Sequence, residues 1–498
     1  MVRRALTMAA GEQYLRLAIN FASIATVSRL LTPTEIGVSV IGMGIVLIAL
    51  GLREFATSDF LIQRQQMTRD DIRASFTVIF LLTVLITIAV CIGAPWFAKF
   101  YGEEKLASFI QIAIVAGLIE VFSWPIRGLL RRDMAFGILA FINTAAATVA
   151  AAASIILALA GFSFMSIAWA TVAAAVTTTV LSIYFRPDML IFRPTLKSWS
   201  GVLTFGGYNG ASFVINRTYE ALPQLVLGHF LPHSAVGLYS RAQMVSDIPD
   251  RIVLTSAVSV AFPALAAEVR EGRSLKESYL RALGYITALY WPALVLLALL
   301  AHPVVSLVLG QQWLAAVPLL QLMAIAGLAW FPVVLTSPVL LAVGANRDRV
   351  LADLLGRSAS AVVLCSSAYF GIVAMAASKL VTLPYQMVLS LCFVRRHVAF
   401  RWGELCAAVW KSAVLTASSA AGPICVMTLS EAGFELSIAP TILAALLAAF
   451  GWLAGVWLTQ HPILLELRRA AVALMGTGFP RSLRGRIVAQ SAKAGEVS

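Results

Sequence analysis

The segment SRLLTPTEIGV at Ser28–Val38 recurs two hundred positions later as GHFLPHSAVGL at Gly228–Leu238. With the two copies in register, Gly37 falls on Gly237. In each copy an apolar helix is expected to end at a proline-containing turn, after which a Thr or Ser caps a second helix. One helical hairpin used twice predicts a two-lobed membrane protein built from an internal repeat.

The composition supports this class. The chain of 498 residues is 60% hydrophobic and only 12% charged, whereas soluble proteins carry about 25% charged residues. Apolar stretches of roughly 20 residues, each able to cross a hydrocarbon core about 30 Å thick, recur along the chain. We therefore predict an all-α polytopic membrane protein of about fourteen spans. They are expected near residues 12–31, 35–52, 75–97, 108–129, 138–160, 162–184, 203–231, 235–262, 279–300, 314–340, 352–370, 372–394, 408–428 and 438–459.

The basic residues predict the orientation. Most of the 37 Lys and Arg residues fall in alternate loops and at the two ends of the chain, whereas only Lys99 and Lys105 fall in the opposite loops. This alternation follows the positive-inside rule and predicts that both termini are cytoplasmic. Because the bases are scattered between spans, the net charge of +13 does not indicate a nucleic-acid partner.

Several kinds of site are not expected. The five cysteines show no metal-ligand spacing, so we expect free thiols and no metal. The sequence contains neither a glycine-rich phosphate loop nor a nucleophile elbow, so no cofactor and no enzymatic activity are expected.

The repeat also predicts the domain organisation. Pro95…Gly102 corresponds to Pro303…Gly310, and Ser123–Pro125 to Trp330–Pro332. Since six spans are repeated, both halves keep the same orientation, which implies a pseudo-two-fold along the membrane normal and a cavity between two six-helix bundles. The expected parts are an N-lobe of helices 1–6 (1–198), a C-lobe of helices 7–12 (199–400), additional helices 13–14 (401–460) and a basic cytoplasmic tail (461–498).

Charged residues within the spans are functional candidates, because each costs several kcal/mol unless it meets a partner or water. Arginines from both halves would line one cavity and bind an anionic substrate bidentately. The candidate substrate-binding residues are Arg16, Arg53, Arg217 and Arg251. A second set of candidates for ion coupling or pairing comprises Glu120, Glu220, Asp247, Asp250 and Lys379.

Structural roles compete with these assignments. Arg217 and Glu220 lie three residues apart and can simply pair on one helix. A structural network is the alternative for Arg241 with the aspartates of span 8, and membrane anchoring is the alternative for Arg53 and Arg251. Arg29 and His229, opposite each other in the repeat, can snorkel to the outer interface. Glu120 either carries a coupling proton or hydrogen-bonds a neighbouring helix.

The stretch Leu30–Thr68 resembles the start of polysaccharide-transport (Wzx-like) flippases of the MOP superfamily, in the exopolysaccharide branch. Its sequence is LLTPTEIGVSVIGMGIVLIALGLREFATSDFLIQRQQMT. The segment LVLGHFLPHSAVGLYSRA, which follows Glu220, is similar to the second half of those proteins. The resemblance covers roughly residues 1–400. It implies a bacterial inner-membrane protein that moves an undecaprenyl-diphosphate-linked oligosaccharide outward by alternating access, with a polysaccharide polymerase and co-polymerase as candidate partners. Related lipid II flippases carry cavity cations on helices comparable to those of Arg16, Arg53 and Arg251.

Two other functions are open. A small-molecule or multidrug antiporter of the same superfamily would favour cations in its cavity, which the surplus of arginine here argues against. A membrane glycan polymerase or ligase would need sizeable outer loops, whereas the predicted outer loops contain about 15 residues or fewer.

Overall fold

The computed structural model describes residues 2–53, 68–195, 217–255, 267–430 and 433–467, together with 258 and 265. These residues are almost entirely helical. The helices are α1 (Val2–Leu30), α2 (Pro33–Gly51), α3 (Arg69–Tyr101), α4 (Lys105–Glu120), α5 (Trp124–Arg132), α6 (Phe136–Leu159), α7 (Met165–Phe185), α8 (217–230), α9 (His233–Ser246), α10 (Leu275–Leu299), α11 (Ala301–Val308), α12 (Val317–Gly327), α13 (Val333–Ala342), α14 (Asn346–Ala368), α15 (Ile372–Arg395), α16 (Trp402–Leu429) and α17 (Ile438–Leu458), with short helical turns at 267–270 and 463–467.

Local sequence explains where the first helices begin and end. Thr32 caps α2: its hydroxyl accepts from the Glu35 N–H, while the Glu35 carboxylate accepts from the Thr32 N–H at 2.7 Å. Pro33 then occupies the first turn, where a missing N–H costs nothing. The same reciprocal capping joins Thr68 to Asp71 at the start of α3.

Both repeats break one predicted span at the same place. A 3₁₀ turn at Val121–Ser123 separates α4 from α5, and another at Leu328–Trp330 separates α12 from α13. Pro125 and Pro332 follow these turns, and a proline disrupts the hydrogen bonding of the helix before it. The structure therefore shows a break inside each of two stretches that hydropathy alone predicts as continuous.

The predicted all-α polytopic class is confirmed. Eleven helical stretches of the described chain are long and apolar enough to cross a membrane, with Lys105–Arg132 (α4 and α5) and Gln311–Ala342 (α12 and α13) each counted as one stretch. Helices α1, α8 and α9 occupy the positions of the remaining predicted spans 1, 7 and 8, and the total of fourteen stays a prediction. Four parts of the chain lie outside the described residues: the LIQR segment (Leu61–Arg64) of the run that resembles flippases, the first half of span 7, most of the end of span 8, and the basic tail beyond residue 467.

The chain divides into two compact units. The first comprises Met1–Val245, Val304–Leu320 and Arg357–Lys379; the second comprises Ser246–Pro303, Gln321–Gly356 and Leu380–Ser498. A core of the first unit is built around buried Phe76, Ile126 and Ile142, and a core of the second around Tyr279, Tyr290 and Phe400. The lobe boundaries expected from the repeat stay a prediction.

Candidate functional site

Within the first unit, the two copies of the repeated hairpin contact each other. A Cβ added to Gly37 would collide with the carbonyl of His233, and a Cβ added to Gly237 would collide with the carbonyl of Pro33. Each added Cβ would also lie 3.2 Å from the backbone nitrogen of the other glycine. Because Pro33 and His233 are themselves two hundred positions apart, the contact is reciprocal, as a local pseudo-two-fold between α2 and α9 requires.

The ends of α1 and α8 are held by matching segments of the opposite repeat. At the end of α1, the Trp313 indole donates to the Ser28 carbonyl at 2.7 Å, and the Arg29 guanidinium donates to the Leu307 carbonyl. Near the end of α8, the His229 ring stacks on Phe100 with centroids 4.5 Å apart. These contacts close the turn side of the two hairpins.

A cavity of about 610 Å³ lies in the same unit, between α1, α2, α4, α6, α7, α8 and α9. Its charged lining residues are Glu120, Arg217, Glu220 and Arg241. Small side chains of α6 and α7 form an apolar wall: Ala147, Ala150, Ala151, Ala170, Ala174 and Ala175. The cavity thus combines a few fixed charges with a largely apolar surface, as is usual for ligand sites.

The two arginines of this lining differ in their partners. Arg217 pairs with Glu220 at 2.8 Å, and both side chains are about half exposed. Arg241 forms no ion pair with any described residue: its Nη1 faces the Met244 sulfur at 3.7 Å, its guanidinium lies 5.9 Å from the Trp313 ring centroid, and its buried Nε has no acceptor. Arg241 is therefore the cation most available to an anion in the cavity.

Glu120 accepts from two arginines. Arg53 donates to it at 3.0 Å, and Arg127 donates to its other oxygen at 3.4 Å. Arg53 is buried, donates also to the Gly117 carbonyl at 3.1 Å and lies 4.8 Å from the Trp124 ring centroid. Of the two roles open to Glu120 from the sequence, these contacts favour bonding between helices, because both carboxylate oxygens accept from arginines of other segments.

The network continues to Arg16. Arg127 donates to Asn143 at 3.3 Å, Asn143 donates to Glu12 at 3.2 Å, and Arg16 lies 3.7 Å from the same glutamate. The structure thus brings Arg16, Arg53 and Glu120 into one chain of contacts, and of these three candidate residues Glu120 lines the cavity.

The other candidate residues lie elsewhere. Asp247, Asp250 and Arg251 belong to the second unit, where Asp250 begins a π-helical turn, accepts a hydrogen bond from the Tyr290 hydroxyl and is followed by the exposed Arg251. Lys379 belongs to the first unit, with its Nζ 5.5 Å from the ring centroid of Tyr239.

Arg241 is a cavity residue for which the sequence left a structural network with the aspartates of span 8 as an open alternative, and it was not among the candidate substrate-binding residues. The repeat offered a signal, because its counterpart two hundred positions earlier is Ile41. The first copy forms the same hairpin with an apolar residue at this place, so the hairpin does not require the cation, and a charge at membrane depth is a candidate for binding a ligand.

Sequence comparisons give a consistent family. A profile described as polysaccharide biosynthesis protein matches residues 26–318. Teichuronic acid biosynthesis protein TuaB of Bacillus subtilis is 24% identical over 281 residues, which are 54% of this chain. Lipopolysaccharide biosynthesis protein WzxC of Escherichia coli is 24% identical over 321 residues, or 63% of this chain. Succinoglycan biosynthesis transport protein ExoT of Rhizobium meliloti is 23% identical over 313 residues, or 62% of this chain. The chain spans 56%, 64% and 62% of the lengths of these relatives.

The fold also resembles a solved transporter. The lipid II flippase MurJ in an inward closed conformation superposes with a TM-score of 0.74 at 10% identity, covering 92% of this chain and all of that one. At this identity the likeness establishes the fold alone.

Proposed function

The chain belongs to the polysaccharide biosynthesis protein family, and from this premise we propose that it is a transporter and not an enzyme. Its cargo is a lipid-linked oligosaccharide repeat unit, carried on undecaprenyl diphosphate across the bacterial inner membrane for exopolysaccharide synthesis. Relatives named for lipopolysaccharide synthesis and succinoglycan transport, and a flippase of similar fold, support this assignment.

The observation that carries the proposal is Arg241 in the cavity. A guanidinium in an apolar setting without a carboxylate partner is costly, and a diphosphate would supply the missing acceptors through charge-assisted hydrogen bonds. Arg217, at the same cavity and already paired with Glu220, can exchange that carboxylate for the same anion. The sugar head group would occupy the cavity while the polyprenyl tail stays in lipid.

Alternating access supplies the movement. If the sparsely charged loops with Lys99 and Lys105 face the periplasm, the contact of Gly37 with Gly237 lies on the periplasmic side and seals it. Transport then requires α2 and α9 to part there after the head group has entered from the cytoplasm.

The remaining candidates take supporting or untested roles. Arg53 and Arg16 act through the Glu120 network, which fixes α1, α2 and α4 around the cavity. Substrate contact by Arg251 and ion coupling through Asp247, Asp250 or Lys379 stay proposals. The same holds for a polymerase and a co-polymerase as partners.

The test uses a deletion strain complemented with variants. R241Q and R217Q should each reduce surface polysaccharide at least tenfold at unchanged membrane abundance, while lipid-linked repeat units accumulate on the cytoplasmic face. R241K should recover little, because an ammonium cannot replace a planar fork that binds bidentately. R396Q removes an exposed arginine of the second unit and is the matched control.

Two outcomes would count against the proposal. Export at the parental level by both R241Q and R217Q would show that these arginines do not form the anion-binding site. Loss of drug resistance in the deletion strain, without accumulated lipid-linked units, would favour the multidrug antiporter instead.

A further inference from the structure

A second pocket, of about 280 Å³, lies in the second unit and is separate from the cavity described above. It is formed by α10, α16 and the residues that follow α17, with Arg281, Tyr285, Lys411 and His461 among its lining residues. The two helices pack closely beside it, since a Cβ added to Gly284 would lie 3.2 Å from the Ala408 carbonyl. The transporter mechanism proposed above does not use this pocket.

Its hydrogen-bond donors lack acidic partners. Neither Arg281 nor Lys411 forms an ion pair with a described residue; Lys411 donates only to the Gln460 carbonyl, at 3.2 Å. Arg281 and Tyr285 lie one turn apart on α10 and therefore share a face. Glu404, one turn before Ala408, is already engaged by Lys276 and by the Arg401 N–H. The pocket is thus a cluster of donors with unused capacity.

The pocket lies at the depth of a membrane–water interface. Lys411 reaches the carbonyl of Gln460, two residues beyond the end of α17, so this level marks the end of an apolar span. Trp410 and Trp457, at the same level, are 52% and 62% exposed, and exposed tryptophans are typical of the interface.

Deeper along the same helices the surface turns apolar. Leu289 is four residues beyond Tyr285 on α10, and Val414 three beyond Lys411 on α16; each is 42% exposed. Cations at the interface, with the exposed apolar side chains of Leu289 and Val414 deeper in the membrane, fit an amphiphile that carries a phosphate. A free phosphate ion would gain no binding energy from these apolar side chains.

We propose that this pocket binds the phosphate head group of an anionic phospholipid, with its acyl chains lying along Leu289 and Val414. Arg281 and Lys411 contact the phosphate oxygens, and the Tyr285 hydroxyl donates a further hydrogen bond. The leaflet is the one on the side of the basic loops, where anionic lipid is attracted to clustered Lys and Arg. This inference does not depend on the transported cargo.

His461 forms a neutral edge of the pocket. Its Nδ1 accepts from the Ile463 N–H at 3.1 Å, and burial together with nearby Lys411 lowers its pKa to about 4. Near neutral pH the positive charge of the site therefore comes from Arg281 and Lys411, and substituting them should remove it.

The experiment is a titration of the purified full chain with phosphatidylglycerol and with phosphatidylcholine, followed by native mass spectrometry. The parent should bind phosphatidylglycerol at least tenfold more tightly than phosphatidylcholine. The double variant R281Q/K411Q should lose that preference, whereas the charge-preserving R281K/K411R should keep most of it. R347Q/R396Q removes two exposed arginines from the same unit outside the pocket and should change the affinity less than twofold.

Other results would overturn the assignment. An equal loss of lipid preference in R347Q/R396Q would mean that net charge alone attracts the lipid. Displacement of phosphatidylglycerol by millimolar inorganic phosphate would identify a site for the free anion. Should the double variant fail to fold, R281Q alone is informative, because this side chain is exposed and unpaired in the described chain; an unchanged lipid preference in R281Q would then contradict the proposal.

Discussion

Glu120 shows what a single carboxylate does among the membrane helices. Its two oxygens accept from Arg53 and Arg127, which are 67 residues before it and 7 after it in the chain. Removing one partner of such a network leaves a buried cation uncompensated, which typically costs 3–5 kcal/mol. The first role of the Glu120 side chain is therefore structural: it holds Arg53 and Arg127 together.

We expect E120Q to lower the melting temperature of the detergent-solubilised protein by several degrees, because two guanidinium groups lose their counter-ion. Unfolding can be followed by thiol-reactive fluorescence on the free cysteines. E104Q, which changes an exposed glutamate whose carboxylate forms no hydrogen bond or ion pair in the described chain, is the control. Equal melting temperatures for E120Q and E104Q would show that the network contributes little.

At the residue scale, sequence reasoning reaches partners that are close in the chain. The spacing of Arg217 and Glu220 offered an ion pair as the alternative to substrate binding by Arg217, and the structure shows that pair at 2.8 Å; substrate binding stays a proposal. The pair of Glu120 with Arg53 was beyond such reasoning, because it depends on how α2 and α4 pack. Arg241 was visible as a charge in a span, but only the packing shows that no described carboxylate reaches it.

At the scale of elements, the crossing of α2 with α9 depends on two glycines. A side chain at either position would meet a backbone carbonyl, which cannot rotate away as a side chain can. The repeat predicted two equivalent hairpins from sequence; it did not predict that they touch, because a hydrophobic pattern does not specify which helices meet. The expected position of the cap was wrong, because the repeat pointed to a Thr or Ser after the proline, whereas Thr32, which precedes Pro33, caps α2.

G37A and G237A should each reduce export several-fold, because the added methyl group forces the two helices apart on the closed side. G137A is the control, because an added Cβ at this exposed position of α6 would have no heavy atom within 4 Å and the residue is not among those that line the cavity; it should transport normally or gain slight stability from helix propensity. Export by G37A at the level of G137A would mean that the contact does not matter for transport.

For the whole molecule, composition and hydropathy predicted the class, and the structure confirms an all-α polytopic chain. Orientation is a separate matter, because it follows from the loops and not from the helices. It can be tested without any assumption about cargo.

We expect opposite labelling of two single cysteines placed in a cysteine-free background. E104C, in the loop between α3 and α4, should react with a membrane-impermeant maleimide in intact spheroplasts. R347C, at the start of α14, should react only after the membrane is permeabilised. Labelling of both sites in intact spheroplasts would contradict the predicted topology.

The reciprocal contact of Gly37 with Gly237 also bears on ancestry. If the two hairpins descend from one duplicated segment, the same surface once met its own copy across a true symmetry axis, as in a homodimer. In such a homodimer a single substitution of the glycine would change both subunits, and therefore both sides of the contact, at once. After fusion each copy became free to change alone, and the cation Arg241, whose counterpart in the first copy is Ile41, is the kind of asymmetry that this freedom permits.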